Sequence, residues 1–181
     1  MNNPAQERTL VLEALESAKK PLMENVRAVL IPPEGISFGY AIRGARDSGG
    51  IAAIPGRVLW PAEANRPLGG TCAFGADEEI ARVILTAMKF DPGMRSAACI
   101  ACSERLKTVL CDDLFLESAS CGGRGIPATG PMDWGIASCC RNAVPDVIFW
   151  NGMVPADNRA LLFGEKPVDV LNNIIMCSNR I

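Results

Sequence analysis

The clearest pattern of hydrophobic and polar positions is a short apolar strand that turns into an amphipathic helix. The strand is predicted at Leu68–Phe74, and the turn Gly75-Ala76 connects it to the helix. The apolar residues of the helix lie three or four positions apart and therefore share one face: Ile80, Val83, Ile84, Ala87 and Met88. Asp77 is the predicted N-cap, because its carboxylate can accept hydrogen bonds from the free amides of the first turn. Asp91-Pro92-Gly93 ends the helix.

The ends of the other helices are marked by capping residues and prolines. Asn3 is a predicted cap followed by a proline, and an apolar stripe continues to Lys19-Lys20-Pro21, where we expect the first helix to end. Ser103 caps a helix that continues through Val109 and Leu110, Met132–Ala143 predicts another, and Pro167 opens the last one. The residues of the last helix that we expect to face the core are Val168, Leu171, Ile174 and Ile175.

Short apolar or alternating runs between these helices predict strands: Ile36–Ile42, Ile51–Ile54, Arg57–Trp60, Ser96–Ala101, Leu114–Ala119, Val147–Trp150 and Ala160–Phe163. Strands and helices alternate without a break in composition, so residues 1–181 are predicted to form a single α/β domain. The glycine- and proline-rich stretch from Gly122 to Pro131 is predicted to be a loop, long enough either to border a site or to be a disordered connection.

Composition narrows the class of protein. The chain has 181 residues, of which 49% are hydrophobic, so it can bury a sizeable core. Its net charge of −2 gives no overall positive field for nucleic acid. The first residues lack the apolar segment of a signal peptide, and no apolar run approaches the roughly 20 residues of a membrane span. We therefore expect a cytoplasmic protein with no nucleic-acid partner and no membrane partner.

Histidine is absent from the sequence, whereas cysteine occurs eight times. Every mechanism that needs a histidine base or a histidine metal ligand is thereby excluded. Most of the cysteines are expected to be small buried hydrophobic residues. The alternative is a metal site, because thiolates bind zinc and iron–sulfur clusters. The grouping to check is Cys102, Cys121 and one of Cys139 or Cys140.

Four blocks of sequence, in this order and spacing, resemble a known family: GARDSGGIAAIPGRV, CAFGADEEIARVILTAMKFDPGMRSA, MDWG and VPDVIFWNG. The resemblance is to the ThiN-type thiamine-phosphate synthase domain, the archaeal-type enzyme, and it covers nearly the whole chain. It implies a three-layer α/β/α fold of the kind found in class II aldolases, with a mixed and mostly antiparallel sheet.

The resemblance also implies a reaction. Enzymes of this family join hydroxymethylpyrimidine diphosphate to thiazole phosphate, which gives thiamine phosphate and releases pyrophosphate. A departing diphosphate needs cations and backbone amides around it, and the planar fork of arginine suits phosphate oxygens in pairs. Arg57, after Pro55-Gly56, is the leading catalytic candidate. The candidates for phosphate binding are Arg43, Arg46, Gly75, Ala76, Arg82 and Arg95.

The chain departs from the usual sequence of the family in three places. Glu79 stands where members usually have a histidine, and with Asp77 and Glu78 it puts three carboxylates at a helix start, where they would repel a phosphate. Cys99–Cys102 replaces a strand that usually reads Asn-Ile-Arg-Tyr. Ala156-Asp157-Asn158 replaces the usual Lys-Glu-Pro. These changes predict a preserved fold with an altered site.

Three hypotheses follow from the sequence. The first is a thiamine-phosphate synthase-like domain that binds phosphorylated thiamine precursors or thiamine phosphate, with Mg²⁺ as cofactor if it is catalytic. The second is a non-catalytic sensor or binding protein on the same fold. The third is a cysteine-ligated metal or iron–sulfur protein. In the first two, the expected partner is a small phosphorylated ligand, and the sequence is compatible with a homodimer.

Overall fold

The computed structural model describes residues 3–122 and 132–181. Its α-helices, numbered in chain order, are α1 (Pro4–Asn25), α2 (Glu78–Phe90), α3 (Glu104–Thr108), α4 (Trp134–Cys139) and α5 (Pro167–Ser178). Its strands are β1 (Ser37–Ala41), β2 (Ile51–Ala53), β3 (Ala73–Phe74), β4 (Ser96–Ala101), β5 (Ser118–Gly122), β6 (Val147–Asn151) and β7 (Arg159–Gly164). None of the helices in this described part is long and apolar enough to cross a membrane.

Within the described residues, the strands form one sheet in the order β3-β2-β1-β4-β7-β6-β5. Neighbouring strands are antiparallel except β5 and β6, which are parallel. Short helical turns connect the elements, at Ala28–Leu30, Ser48–Gly50, Val109–Asp113 and Pro155–Asp157. The predicted mixed and mostly antiparallel sheet is therefore confirmed.

Helices cover both faces of this sheet and give three α/β/α layers. Residues of β4 alternate between the faces: Ala98 and Ile100 pack in the core shared with α1, α3 and α5, whereas Ala97 packs with α2 and α4. Each large aliphatic side chain buried in these two core regions stabilises the fold by about 1.5–3 kcal/mol. The three-layer architecture predicted from the family resemblance is thus confirmed.

Helix α2 agrees best with its sequence pattern. Its N-cap is Asp77, whose Oδ1 accepts hydrogen bonds from the amides of Glu79 at 3.1 Å and Ile80 at 3.3 Å. The predicted apolar face is buried. Gly39 of β1 lies beneath that face, where a Cβ would lie 2.9 Å from Cδ1 of Ile84. Because glycine has no side chain, α2 can lie close to the sheet.

Helix α1 is longer than the sequence predicts. Asn3 caps it as expected, with its side chain accepting a backbone amide hydrogen bond. The helix then continues to Asn25 instead of ending at Lys19-Lys20-Pro21. A proline in a helix interior removes a backbone hydrogen bond and costs about 3 kcal/mol. The next residue, Leu22, is completely buried, so tertiary packing holds the last turn together despite the proline.

Two strands predicted in the stretch before α2 have different bounds in the structure. The strand predicted at Arg57–Trp60 is replaced by isolated bridges at Val58 and Leu59, because Arg57 has a positive φ that interrupts extended backbone. Of the strand predicted at Leu68–Phe74, only the last two residues form β3. The chain before β3 is therefore a connection rather than a sheet strand.

The C-terminal half also differs in its bounds. β5 begins at Ser118 rather than Leu114, because the helical turn after α3 extends to Asp113 and the amide of Leu114 still donates to the carbonyl of Val109 at 3.0 Å. The helix predicted at Met132–Ala143 is shorter at both ends than expected.

The inward face of α5 is rotated from the predicted one. Val168 is 47% exposed, whereas Val170 is buried together with Leu171 and Ile174. Residues three or four positions apart share a helix face, so the buried face is centred on Val170 and Ile174. The loop predicted from Gly122 to Pro131 lies outside the described residues, apart from its first residue, which ends β5.

Candidate functional site

A cleft of about 840 Å³ opens on the face of the sheet that α2 and α4 cover. Its floor consists of two rows of side chains across neighbouring strands, since residues paired across a sheet point to the same face. The first row is Ser37, Cys99 and Leu161. The second row is Arg159, Trp150 and Cys121. The floor therefore combines polar, apolar and charged groups on adjacent strands.

The walls of the cleft come from α2, α4 and nearby loops. α2 contributes Arg82 and Val83, and α4 contributes Ile136. The two helices are tied together here: the amide of Asp133 donates to Oγ1 of Thr86 at 2.9 Å, and that hydroxyl donates to the carbonyl of Arg82 at 2.7 Å. The volume lies within the range of about 300–1,000 Å³ that is typical of small-molecule sites.

Arg57 reaches the cleft from a tight turn whose backbone favours glycine. Gly56 and Arg57 have φ angles of 67° and 63°, and the amide of Arg57 donates to the carbonyl of Ile54 at 3.0 Å. A non-glycine residue in this left-handed region costs about 1–3 kcal/mol. Gly35 packs against the turn, where a Cβ would lie 2.9 Å from Cβ of Arg57. The turn thus fixes the direction in which Arg57 leaves the backbone.

Two carboxylates of the α2 N-terminus hold the guanidinium of Arg57. Its Nε donates to Oδ2 of Asp77 at 3.1 Å, and its Nη2 donates to Oε2 of Glu79 at 2.7 Å. Burial lowers the pKa of Arg57, but the hydrogen bond to Glu79 and the charge of Asp77 more than offset this effect, so the pKa lies above its ordinary value. Arg57 is therefore a fixed cation at the edge of the cleft.

A second ion pair joins Arg159, at the start of β7, to Glu34, which precedes β1. Arg159 donates from Nε at 2.7 Å and from Nη2 at 2.9 Å to the two carboxylate oxygens of Glu34. Its Nη1 donates to the carbonyls of Ala156 at 2.9 Å and Asn158 at 2.8 Å. The hydrogen bond from Arg159 lowers the pKa of Glu34, although burial opposes this shift. Most donors of Arg159 are thus engaged within the protein.

Sequence reasoning missed Arg159, Glu34 and Trp150 as cleft residues. One signal was available for Arg159: it immediately precedes the predicted strand Ala160–Phe163, and strand alternation puts it on the same face as Leu161. No comparable local signal pointed to Glu34, because its partner lies 125 residues away along the chain.

Arg82 is the predicted phosphate-binding cation whose position agrees best with that role. It lies one turn into α2, lines the cleft and is half-buried. Its guanidinium forms no ion pair with another residue of the described ranges 3–122 and 132–181. A half-buried cation that faces a cleft is suited to an anionic group of a ligand.

Three other predicted arginines are not brought to the cleft. β1 runs away from it, from Ser37 at the floor to Ala41, and exposed Arg43 and Arg46 follow that far end. Arg95 donates to the carbonyl of Ala41 from Nε at 3.0 Å and Nη2 at 2.8 Å. Its guanidinium also lies 4.8 Å from the centre of the Tyr40 ring. Arg95 therefore holds the end of β1 in place.

At the turn Gly75-Ala76, the amide of Gly75 is engaged within the protein, because it donates to the carbonyl of Ile51 at 3.0 Å. Gly75 adopts a φ of +72° in this turn, as a glycine readily does. Ala76 lines a smaller hollow of about 450 Å³ beside the cleft, together with Asp77 and Glu78. The carboxylate of Asp77 already accepts from two amides of the first turn of α2. An anion at this helix end would meet the negative charges of Asp77 and Glu78.

The structure does not assemble the predicted cysteine group. Cys102 is buried in the core on the α1 and α5 side, whereas Cys121 and Cys139 pack on the α2 and α4 side. Within residues 3–122 and 132–181, no group of three or more His, Cys, Asp or Glu side chains could hold a metal ion. Burial, and secondarily the neighbouring Cys139, raises the pKa of Cys121 to about 12. Its thiol is therefore protonated near neutral pH.

A mixed sheet covered by helices on both faces places this protein among the α/β/α domains that share the fold of class II aldolases. The crystal structure of L-fuculose-1-phosphate aldolase from Thermus thermophilus matches with a TM-score of 0.51 over 95% of this chain and 91% of that one, at 12% identity. At that identity the likeness shows the fold alone. The model of the family described as thiamine-phosphate synthase ThiN matches residues 14–176, so the chain belongs to the ThiN family.

Individual relatives agree with this assignment. The bifunctional thiamine biosynthesis protein ThiDN of Methanocaldococcus jannaschii is 27% identical over 155 residues, which make up 84% of this chain and 37% of that protein. The crystal structure of the C-terminal domain of protein MJ0236 has a TM-score of 0.84 and 25% identity, covering 99% of this chain and 97% of that one. The C-terminal domain of a phosphomethylpyrimidine kinase has a TM-score of 0.83 and 27% identity, covering 94% and 99%.

Proposed function

We propose that this ThiN domain binds thiamine phosphate and the phosphorylated precursors of thiamine in the cleft beside Arg57. The observation that carries the proposal is the fixed position of Arg57, which a turn with two positive φ angles directs to the cleft edge. Arginine presents paired donors that match phosphate oxygens. Family membership supports this choice of ligand class.

The composition of the cleft fits a ligand with aromatic rings at one end and phosphate at the other. Val83, Ile136 and Leu161 offer an apolar surface, and Trp150 offers an aromatic ring. Aromatic side chains bind flat rings by stacking and favour a positively charged ring such as a thiazolium. Arg57 and Arg82 are then the cations that face the phosphate.

The synthase reaction would use the same groups. Condensation of hydroxymethylpyrimidine diphosphate with thiazole phosphate releases pyrophosphate, so negative charge grows on the leaving group as its bond to the pyrimidine methylene breaks. Arg57 and Arg82 would stabilise that charge by preorganised electrostatic interactions. Since the chain has no histidine, proton transfer would rest on carboxylates or solvent.

In this proposal a Mg²⁺ ion would bind in the cleft together with the phosphorylated ligand. Mg²⁺ commonly uses one or two protein carboxylates together with substrate phosphates. Asp133 and Asp157 both line the cleft and are the residues that would hold it. When bound, the ion would neutralise part of the diphosphate charge.

A non-catalytic thiamine-phosphate binding protein is the second candidate. The observation that favours it is the double ion pair of Arg57, because Asp77 and Glu79 already occupy two of its donors. A departing diphosphate would have to compete with them for the guanidinium. An assay of pyrophosphate release from the two precursors with Mg²⁺ separates the candidates: release that depends on Arg57 supports a synthase, and its absence supports a binding protein.

Thiamine phosphate should raise the melting temperature of the protein, and Arg57→Ala should abolish the increase. The reason is that a ligand which binds the folded state stabilises it, by about 2.7 kcal/mol at one hundred times its Kd. Differential scanning fluorimetry with millimolar thiamine phosphate and Mg²⁺ measures the effect. Arg43→Ala is the matched control, since Arg43 is an exposed arginine away from the cleft. No increase with the wild-type protein would contradict the proposed function.

A further inference from the structure

The two carboxylates that bind Arg57 differ in their burial and in the number of hydrogen bonds that they accept. The side chain of Asp77 is 6% exposed, and it accepts hydrogen bonds from Arg57 and from the amides of Glu79 and Ile80. The side chain of Glu79 is 75% exposed, and among the described residues it accepts one hydrogen bond, from Nη2 of Arg57. Asp77 is therefore a fixed partner, whereas Glu79 can leave Arg57 and become hydrated at little cost.

Glu79 contacts part of the guanidinium that a phosphate approaching Arg57 would use. Nε of Arg57 points to Asp77, so the nitrogens left to a ligand are the terminal ones, and Nη2 is the one that Glu79 contacts. Two anions on one terminal nitrogen would repel each other at close range. A phosphate that accepts from the same terminal nitrogen and the Glu79 carboxylate in its present position therefore compete with each other.

We propose that Glu79 is a displaceable carboxylate that competes with the phosphate of the ligand for the terminal nitrogens of Arg57. Glu79 thereby sets how strongly the cleft distinguishes phosphorylated from unphosphorylated ligands. This inference rests on the proposed function, because it takes the phosphate to be the group that contacts Arg57. Asp77 keeps the guanidinium oriented while Glu79 leaves, so the site needs no other rearrangement at this residue.

Removing the charge of Glu79 should strengthen the binding of phosphate-bearing ligands. Glu79→Gln keeps the size of the side chain but weakens its hold on Arg57, so the phosphate no longer displaces an ion pair. We expect the Kd of thiamine phosphate to fall roughly fivefold, the factor that corresponds to a partly exposed ion pair. The Kd of unphosphorylated thiamine should change less than about twofold, because no phosphate competes with residue 79.

The matched control is Glu78→Gln. Glu78 carries the same charge one residue earlier in α2, but its carboxylate accepts a hydrogen bond from Oγ of Ser48 at 2.8 Å and is not a partner of Arg57. The two variants change the net charge equally. A difference between them therefore reports the contact with Arg57 and not the overall charge of the helix end.

Isothermal titration calorimetry with thiamine phosphate, inorganic pyrophosphate and thiamine tests the proposal, and circular dichroism confirms that each variant is folded. Glu79→Asp serves as a second variant, because its shorter carboxylate should also loosen the contact and tighten phosphate binding. Equal effects of Glu79→Gln and Glu78→Gln would overturn the proposal. Weaker binding by Glu79→Gln would also overturn it, since Glu79 would then position Arg57 instead of competing.

The binding of pyrophosphate shows which of the two proposals fails, this inference or the proposed function. If thiamine phosphate does not bind any variant, but pyrophosphate binds Glu79→Gln more tightly than Glu78→Gln, the proposed ligand is wrong and the role of Glu79 stands. If none of the three compounds binds any variant, Arg57 is not an anion site and both proposals fail.

Discussion

Arg57, Arg82 and Arg159 all line the cleft, yet each guanidinium has a different set of partners. Arg57 is shared by a buried and an exposed carboxylate, and Arg159 is bound in a fork by Glu34. The sequence motif could identify Arg57 as a site residue, because the resemblance covers its turn. It could not show the state of the guanidinium, which depends on side chains that only the folded chain brings together.

The ion pair between Glu34 and Arg159 predicts a pH dependence of stability. The pKa of Glu34 lies below its ordinary value of 4.5, because Arg159 donates two hydrogen bonds to the carboxylate and their effect exceeds the opposing effect of burial. The charged carboxylate therefore stabilises the fold fully above pH 4.5, and this contribution is lost as the pH falls through the lowered pKa.

Glu34→Gln should accordingly lower the free energy of unfolding at pH 7 by about 1 kcal/mol or less, the value for a partly exposed ion pair. The difference from wild type should shrink at pH 3. Urea unfolding at both pH values measures it, with the exposed Glu13→Gln on α1 as control. An equal loss at pH 7 and pH 3 would show that the ionised carboxylate is not the stabilising group.

At the scale of secondary structure, local sequence predicted the helices better than their ends. Asn3, Asp77 and Ser103 cap helices as expected, because each cap needs only its own side chain and the next few amides. The end of α1 was wrong because burial of Leu22 outweighs the local effect of Pro21. The strand predicted at Arg57–Trp60 failed because a positive φ at a non-glycine residue has no sequence signal.

The contact between α2 and the sheet gives a prediction for Gly39→Ala. The added Cβ would lie 2.9 Å from Cδ1 of Ile84 and 3.2 Å from the carbonyl oxygen of Ala52. Such overpacking should destabilise the fold by about 1–3 kcal/mol. Ile84→Val removes the crowded methyl group, so the double variant should be less destabilised than the sum of the two single variants. Additive losses in chemical denaturation would exclude this contact as the cause.

At the scale of the whole molecule, the cleft depends on strand order. Ser37, Cys99 and Leu161 are far apart in sequence, and they form one row only because β1, β4 and β7 are neighbours in register. Pattern reasoning predicted these strands but contained nothing about their order, and the family resemblance implied only that the sheet is mixed and mostly antiparallel. The same limitation explains why Cys102 was grouped with Cys121, although they lie on opposite sides of the sheet.

The central claim is that a phosphorylated thiamine compound binds between Arg57 and Trp150. Nuclear magnetic resonance of the tryptophan indole N–H groups tests it most directly. Trp150 lines the cleft, whereas Trp60 does not line it and donates its indole N–H to the carbonyl of Ala64 at 3.0 Å. On addition of thiamine phosphate, the signal of Trp150 should shift with saturation while that of Trp60 stays in place. A saturable shift of Trp60 with Trp150 unchanged, or no shift of either, would contradict the claim.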